Sequence, residues 1–300
     1  MGTQIDIAAS VTLCILLAGV MAAFCALTLR VGVRASFERL EREAPLAVFG
    51  KAPMEAVYSA LQPIARLLML LGVSANGVTV SSLLFATFAG LLFATGHFGL
   101  GALMACTAAL ADAVDGLVAR QTRSTSRFGQ VLDTTVDRYV EALLLGGMAI
   151  YVRHDAWMLA VVFAALVGGF MVSYASSMLR ELRVPDAGAS MRRAERLSFL
   201  ILGAVLVPLV ASMAPDLAPV FHLAPVLVAL VAIAVVGNWS AARRLLGAAR
   251  LAPAAPSAAP SYDKTWPTST QFLIQRESRS VGGTDERRRS PRARCDADSV

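Results

Sequence analysis

The sequence predicts an all-α fold, a polytopic membrane helix bundle with a six-span core and one extra N-terminal span. Three observations predict it. Of the 300 residues, 56% are apolar and only 16% charged, whereas soluble domains are about half apolar and a quarter charged. The apolar residues are gathered into long runs of membrane-spanning length instead of being spread along the chain. Arginines collect in alternate connections between those runs, the pattern of a chain that crosses a membrane repeatedly.

Residues 7–29 form the first run, just long enough for a bilayer at about 20 residues per ~30 Å. No positive residue precedes it, and Arg30 and Arg34 follow it. A secretory signal peptide has the reverse arrangement, so residues 1–30 read as a retained transmembrane anchor. Residues 31–75 read as a cytoplasmic linker holding Arg34, Glu38, Arg39, Glu41, Arg42 and Glu43, then "MEAVYSALQPIARLLMLLG". That second part is amphipathic, is interrupted by Pro63, and suits a helix lying on the membrane surface. The core, 76–246, has spans near 77–96, 99–119, 130–152, 156–179, 197–214 and 223–242. Connections as short as "GHFGLG" and "VRHDAW" imply antiparallel neighbours. Arg120, Arg123 and Arg127 mark one side of the membrane, as do Arg180, Arg183, Arg192, Arg193 and Arg196, and then Arg243, Arg244 and Arg250. The positive-inside rule therefore places the N-terminus outside and the C-terminus inside, as expected for an integral protein of the cytoplasmic (inner) membrane. Residues 251–300 turn to "APAAPSAAPS" and polar sequence with too few apolar residues for a core, which predicts a disordered cytoplasmic tail. Its "ERRRSPRAR" is suited to anionic headgroups.

The formal net charge of +6 does not point to nucleic acid, because the basic residues sit beside spans and form no face interleaved with aromatics. Cys14, Cys25, Cys106 and Cys295 lack disulfide or metal spacing, and the first three lie in apolar runs. "ATFAGLLFATG" offers small residues for close contact between helices.

The chemistry lies in "DAVDGLVARQTRSTSRFGQVLDTTVD", residues 112–137, which puts four aspartates into two adjacent apolar segments. A charge at the centre of a membrane helix costs about 2.5–3.5 kcal/mol even on the lenient insertion scale. The acids must therefore face a cavity and be neutralised there. Asp112 and Asp115 are i, i+3 and Asp133 and Asp137 are i, i+4, so each pair shares one helix face. The short "RQTRSTSRF" connection brings the two helices together near the cytoplasmic surface. Four converging carboxylates call for hard divalent cations, and two such ions suit phosphoryl transfer. The adjacent arginines fit a polyanionic ligand. Gly116 and Ala119 leave room for a flat group, and Gly129 permits a close approach at the start of the next helix.

The segment matches D-x-x-D-G-x-x-A-R, eight residues, then G-x-x-x-D-x-x-x-D at every fixed position. It resembles the signature of the CDP-alcohol phosphatidyltransferases, integral membrane enzymes of phospholipid synthesis, and the likeness covers about residues 72–246. The resemblance implies that Asp112, Asp115 and Asp133 ligate two divalent ions, magnesium or manganese. Asp137 would complete the second site and act as the base. Gly116, Ala119, Arg120, Ser126 and Gly129 would hold the donor, a CDP-linked lipid such as CDP-diacylglycerol. "ANGVT" at 75–79 is similar to the family's "PN-x-x-T", with Ala75 in place of proline, which adds Asn76 and Thr79 to the donor site. Membership also implies a homodimer among membrane lipids. The phosphatidyl group would pass to an alcohol with release of CMP.

The acceptor is read from "RRAERLSFLILGA", which resembles the "ER-x-ER" segment of prokaryotic phosphatidylinositol-phosphate synthases and makes Arg193 and Arg196 acceptor-binding candidates. Guanidinium forks there suit inositol 1-phosphate or glycerol 3-phosphate. In the preceding segment, "SYASSMLRE" stands where the synthases carry "SY-x-KARAE". Ser176 and Met178 thus replace a lysine and an arginine, which leaves another polyol or alcohol open. Two readings from other classes fit the sequence less well. A UbiA-type prenyltransferase has its aspartate motifs far apart in sequence, and an ion-coupled transporter is expected to hold its acids near the midplane, often with inverted repeats.

Overall fold

Apolar runs of this length have one stable form in lipid, because the helix alone satisfies every backbone group within the segment. The structure, a computed structural model, describes residues 2–31, 52–122, 124, 126–182, 184 and 190–251. The described elements are α1 (Gly2–Val31), α2 (Ala52–Leu70), α3 (Ala75–Ala94), α4 (Phe98–Gln121), α5 (Arg127–Tyr151), α6 (Ala156–Glu181), α7 (Arg193–Met213), the short α8 (Pro219–His222) and α9 (Ala224–Leu251). The charged part of the predicted linker (Arg34 to Glu43), Arg123, Arg183, Cys295 and the predicted tail beyond Leu251 lie outside the described residues.

Among the described residues, six helices are long and apolar enough to cross a membrane: α1, α3, α4, α6, α7 and α9. The bundle is therefore that of an integral membrane protein. Helix α5 is equally long at 25 residues, about 37 Å at 1.5 Å per residue, but Asp133, Asp137, Arg138 and Glu141 load its first half with charge. Val136, Val140, Leu144 and Met148 form its buried stripe at four-residue intervals, so α5 is held by the bundle, not by its own hydropathy.

The connections are fixed by ordinary capping. Ser74 Oγ accepts from Gly77 N at 3.2 Å and starts α3, and Ser126 Oγ accepts from Gly129 N at 2.9 Å and starts α5, each supplying one of the partners that a helix N-terminus lacks.

Helix α3 packs between α4 and α5 through small residues. Ala86 and Ala89 are fully buried. A Cβ at Gly90 would come within 2.5 Å of the Leu143 carbonyl oxygen, and one at Gly147 would collide with Gly90 backbone. The small residues of "ATFAGLLFATG" are thus used inside the chain to bring α3 against α5. Helix α9 lies equally close to α6, where Asn238 Nδ2 donates to the Ala164 carbonyl at 2.9 Å beside Gly168.

Two elements differ from the sequence expectation. Helix α2 runs unbroken through Pro63, and Tyr58, Leu61 and Ala65 form a small core with Val78 of α3 and with Val114, Leu117 and Val118 of α4. It is docked on the aspartate-bearing helix along that face, which the sequence had suited to a membrane surface. In α1, Asp6 lies at a span end, where the sequence suggests an ordinary interface residue, but it is buried, and its Oδ1 accepts from Leu100 N at 3.0 Å. The carboxylate so satisfies the N-terminus of α4, where the helix dipole favours negative charge. Gly99 lets the Asp6 backbone sit directly against α4. Asp155 and Asp216, by contrast, are exposed at helix ends.

The α3–α5 contact yields a stability test. Gly90→Val should lower stability by about 2 kcal/mol or more, because a side chain there must push Leu143 backbone away. Gly19→Ala, with open space around Gly19, should change it by less than about 0.5 kcal/mol. Thermal unfolding of the detergent-solubilised protein, followed by size-exclusion chromatography, reads both.

Candidate active site

The site is assembled where α3, α4, α5 and α7 meet at the ends carrying Asn76, Arg120, Gly129 and Arg193. Helices α4 and α5 bring Asp112, Asp133 and Asp137 together, and one oxygen of each lies within 4.8 Å of the other two. These are oxygen donors on partly buried side chains, the donor set of a hard divalent cation.

Asp115 is held through one oxygen by α3. It is 7% exposed and accepts from Thr79 Oγ1 at 2.6 Å. Thr79 is itself buried in α3 and is also within 3.1 Å of the Ala75 carbonyl. The sequence reading brings all four aspartates into one pocket. The structure gathers three of them and holds the fourth by a hydroxyl of α3, one helical turn away along α4.

The donor-site candidates fall beside this cluster. A Cβ at Gly129 would lie 3.1 Å from Ser126 Oγ and 3.3 Å from Asn76 Oδ1, so Ser126, Gly129 and Asn76 of two helix N-termini converge. Such termini present free backbone N–H groups suited to phosphate. Arg120 is exposed and bends back over Gly116, its Nη1 3.2 Å from the place of a Cβ there. A methyl at Gly116 would crowd that guanidinium. Ala119 is half-buried on the same helix.

The two acceptor candidates are separated by the structure. Arg193, the first residue of α7, reaches into the aspartates: its Nη1 donates to Asp112 Oδ1 at 2.9 Å and lies 2.6 Å from Asp137 Oδ1. The second approach is an ion contact without hydrogen-bond geometry, so Asp137 Oδ1 and Arg193 Nε are both buried without a hydrogen-bond partner. Arg196 points away from the cluster. It is 2% exposed and grips Glu141 with two bonds, Nε to Oε1 at 2.6 Å and Nη2 to Oε2 at 3.0 Å. Its Nη1 donates to the Met191 carbonyl at 2.7 Å. This arginine supports the entry to α7 and is not presented to the cluster.

Glu141, Arg138 and Ser173 were not among the sequence-derived site residues, yet they form the layer behind it. Arg138 donates to Ser173 Oγ at 2.5 Å and lies 3.5 Å from Glu141. Ser173 Oγ also accepts from Arg196 at 3.2 Å and donates to the Gly169 carbonyl at 3.0 Å. Gly169 is needed, since any side chain there would strike Glu141. The available signal was Glu141 itself, which continues the 133–137 face by one more turn into apolar sequence and so requires a buried cation.

Comparison with known proteins places this geometry. The family model described as CDP-alcohol phosphatidyltransferase matches residues 72–239. An archaetidylinositol phosphate synthase of Pyrococcus horikoshii is 36% identical over 116 residues, which is 38% of this chain and 59% of the relative. A phosphatidylinositol phosphate synthase of Corynebacterium glutamicum is 30% identical over 163 residues, covering 53% and 73% respectively. Among solved structures, the Mycobacterium tuberculosis phosphatidylinositol phosphate synthase in complex with manganese and citrate aligns at TM-score 0.57 and 25% identity, covering 66% of this chain and 92% of its own. The same enzyme with CDP-DAG bound aligns at TM-score 0.57.

The buried pair gives a prediction of its own. Arg196→Ala or Glu141→Ala should each cost about 3–5 kcal/mol, because one buried charge is left unpaired. The double change Glu141→Leu with Arg196→Met should recover most of that loss, as read by thermal unfolding.

Proposed function

The chain belongs to the CDP-alcohol phosphatidyltransferase family, and on that premise we propose that it transfers a phosphatidyl group from CDP-diacylglycerol to a polyol phosphate of the inositol 1-phosphate class, releasing CMP. The observation that carries this is the cluster of Asp112, Asp133 and Asp137 with the Arg193 guanidinium set into it. The inositol-phosphate relatives and the presence of a guanidinium at the same pocket support an anionic acceptor. Ser176 and Met178 are the reason to keep glycerol 3-phosphate and uncharged polyols in the test.

The residues fit the divalent ions that the resemblance implies. The donors are carboxylate oxygens, and a cationic nitrogen already bridges two of them, which shows that the pocket accepts positive charge. Asp112, Asp133 and Asp137 would hold the ions, with Asp115 completing the set from its place on Thr79. Two magnesium or manganese ions would neutralise the donor's diphosphate and the charge that develops on departing CMP.

The chain's own groups do the rest. Asn76, Ser126, Gly129 and Arg120 line the face on which the nucleotide diphosphate is seated, with Gly116 and Ala119 leaving space for it. Thr79 orients Asp115. Asp137 takes the proton of the acceptor hydroxyl, which requires the base and that oxygen in hydrogen-bond contact. The freed oxygen bonds the lipid-side phosphorus, and the bond from that phosphorus to the bridging oxygen of the diphosphate breaks. The electron pair leaves with CMP.

We further assign the polar end of the bundle to the cytoplasmic side of the inner membrane, with the N-terminus outside, from the arginine distribution. The domain plan follows: anchor 1–30, linker 31–75, catalytic core 76–246 and tail 251–300. A homodimer is supported by a shallow apolar groove between α5 and α6 with a floor of Gly146, Ala149, Ala156 and Ala160, small residues that admit close helix approach.

CMP release tests the reading. The purified protein in nanodiscs, given CDP-diacylglycerol, magnesium or manganese, and separately inositol 1-phosphate, glycerol 3-phosphate, inositol and serine, should release CMP with a phosphorylated polyol. Chelation should abolish release, and Asp137→Asn should lower it about 10³-fold. No release with any acceptor, together with no binding of CDP-diacylglycerol, would overturn the transferase reading.

A further inference from the structure

We propose that Arg193 and the divalent ions compete for the same carboxylate oxygens, so that the guanidinium is a latch which metal displaces and which only then becomes available to an anionic acceptor. The inference rests on the metal reading above and goes beyond it, to the order in which the site is filled.

One nitrogen, Arg193 Nη1, spans Asp112 Oδ1 at 2.9 Å and Asp137 Oδ1 at 2.6 Å. Both residues belong to the three-carboxylate cluster. Hard dications take such oxygens at about 2.0–2.6 Å, which leaves no room between the same two oxygens for both an ion and Nη1. Even one layer further out, a guanidinium beside a dication is repelled by like charge. Seating the metal therefore moves the side chain.

The surroundings decide where it can go. The backbone of Arg193 is held: Met191 takes a left-handed conformation, φ 56°, its carbonyl is bound by Arg196, and Glu195 accepts from the Arg192 backbone N–H at 3.0 Å. Only the side chain is free to swing. Glu141, a buried acid of the layer behind the cluster, is already bonded twice by Arg196. Arg193 Nε is buried without a hydrogen-bond partner even in the present arrangement. A displaced Arg193 thus carries its charge and its open donors to the mouth of the pocket, where an acceptor phosphate satisfies them bidentately. Metal and anion binding are coupled by this exchange, and the coupling is reciprocal.

The test measures metal directly. Free manganese is titrated by electron paramagnetic resonance against the full chain in nanodiscs without nucleotide lipid, for wild type, Arg193→Lys and Arg193→Ala, with and without inorganic phosphate. Removing the latch should tighten manganese binding about tenfold in Arg193→Ala, with Arg193→Lys in between. Phosphate should tighten binding several-fold in wild type and leave Arg193→Ala unmoved. If the alanine variant folds poorly without metal, a manganese-induced rise in melting temperature larger than that of wild type reads the same competition. Equal or weaker manganese binding in Arg193→Ala, with wild type binding normally, would overturn the latch and leave the metal site standing. Absence of saturable manganese binding in wild type would overturn the metal site and the latch with it.

Discussion

The buried contact between Glu141 and Arg196 is the interaction on which the polar end of the bundle depends. It joins α5 to α7 by two short bonds, with Arg138 of α5 and Ser173 of α6 bonded beside them. An unpaired charge at that depth would cost several kcal/mol, so the two helices have one register that satisfies both groups. The consequences run outward from it. Arg196 also holds the Met191 carbonyl, which sets the strained turn into α7. The turn decides where α7 begins, and α7 begins with Arg193. The aspartate cluster is faced by a guanidinium because a second guanidinium, three residues on, is fixed to Glu141.

That arrangement separates two jobs that look alike in sequence. Arg193 and Arg196 are i, i+3 on the same helix and both lie beside acids. Arg196 has a bidentate partner, a backbone carbonyl and a serine hydroxyl, which is full employment for its donors. Arg193 has a shared nitrogen and an unpartnered Nε. A side chain whose donors are all used acts as structure, and one whose donors are partly used can change partners at modest cost. The same distinction holds among the acids. Asp115 is held by Thr79 in a buried bond, while Asp112 and Asp137 share one cation between them.

Much of this was legible in the sequence, and the physical reason is periodicity. Spacings of three and four residues decide which face of a helix a carboxylate occupies, so the union of α4 and α5 around Asp112, Asp133 and Asp137 follows from the numbers alone. The apolar runs decide the helices, to within a few residues at most ends. Partners across helices are a different matter. Nothing in the spacing says that Asp115 meets Thr79 of α3 or that Glu141 meets Arg196 of α7, since these depend on how helices far apart in sequence rotate against each other. Asp6 is the same case in α1: its place at a span end suggested an ordinary interface residue, and only the packing on Gly99 reveals that it caps α4. A charge count over α5 would have flagged Glu141, because an acid one turn deeper than the cluster has no reason to be there without a cation.

Helix α4 draws these strands together. Its N-terminus is bound by the Asp6 carboxylate, Gly101 in its first turn sits directly against Phe93 of α3, and its far end carries Asp112, Asp115 and Arg120, with Val114, Leu117 and Val118 packed on α2 and α3. A helix is stiff along its axis, so a clamp at one end and close packing at the other fix the height at which the carboxylates emerge. That height matters, because a donor with acyl chains in the bilayer and a nucleotide in water has its diphosphate confined to the boundary between them. By capping α4, helix α1 helps set the height of the acids along the bundle. A soluble enzyme could place the same carboxylates anywhere on its surface. With the donor proposed above, the substrate's own amphipathicity dictates one level, and the polar contacts buried at both ends of the bundle hold the acids at one height.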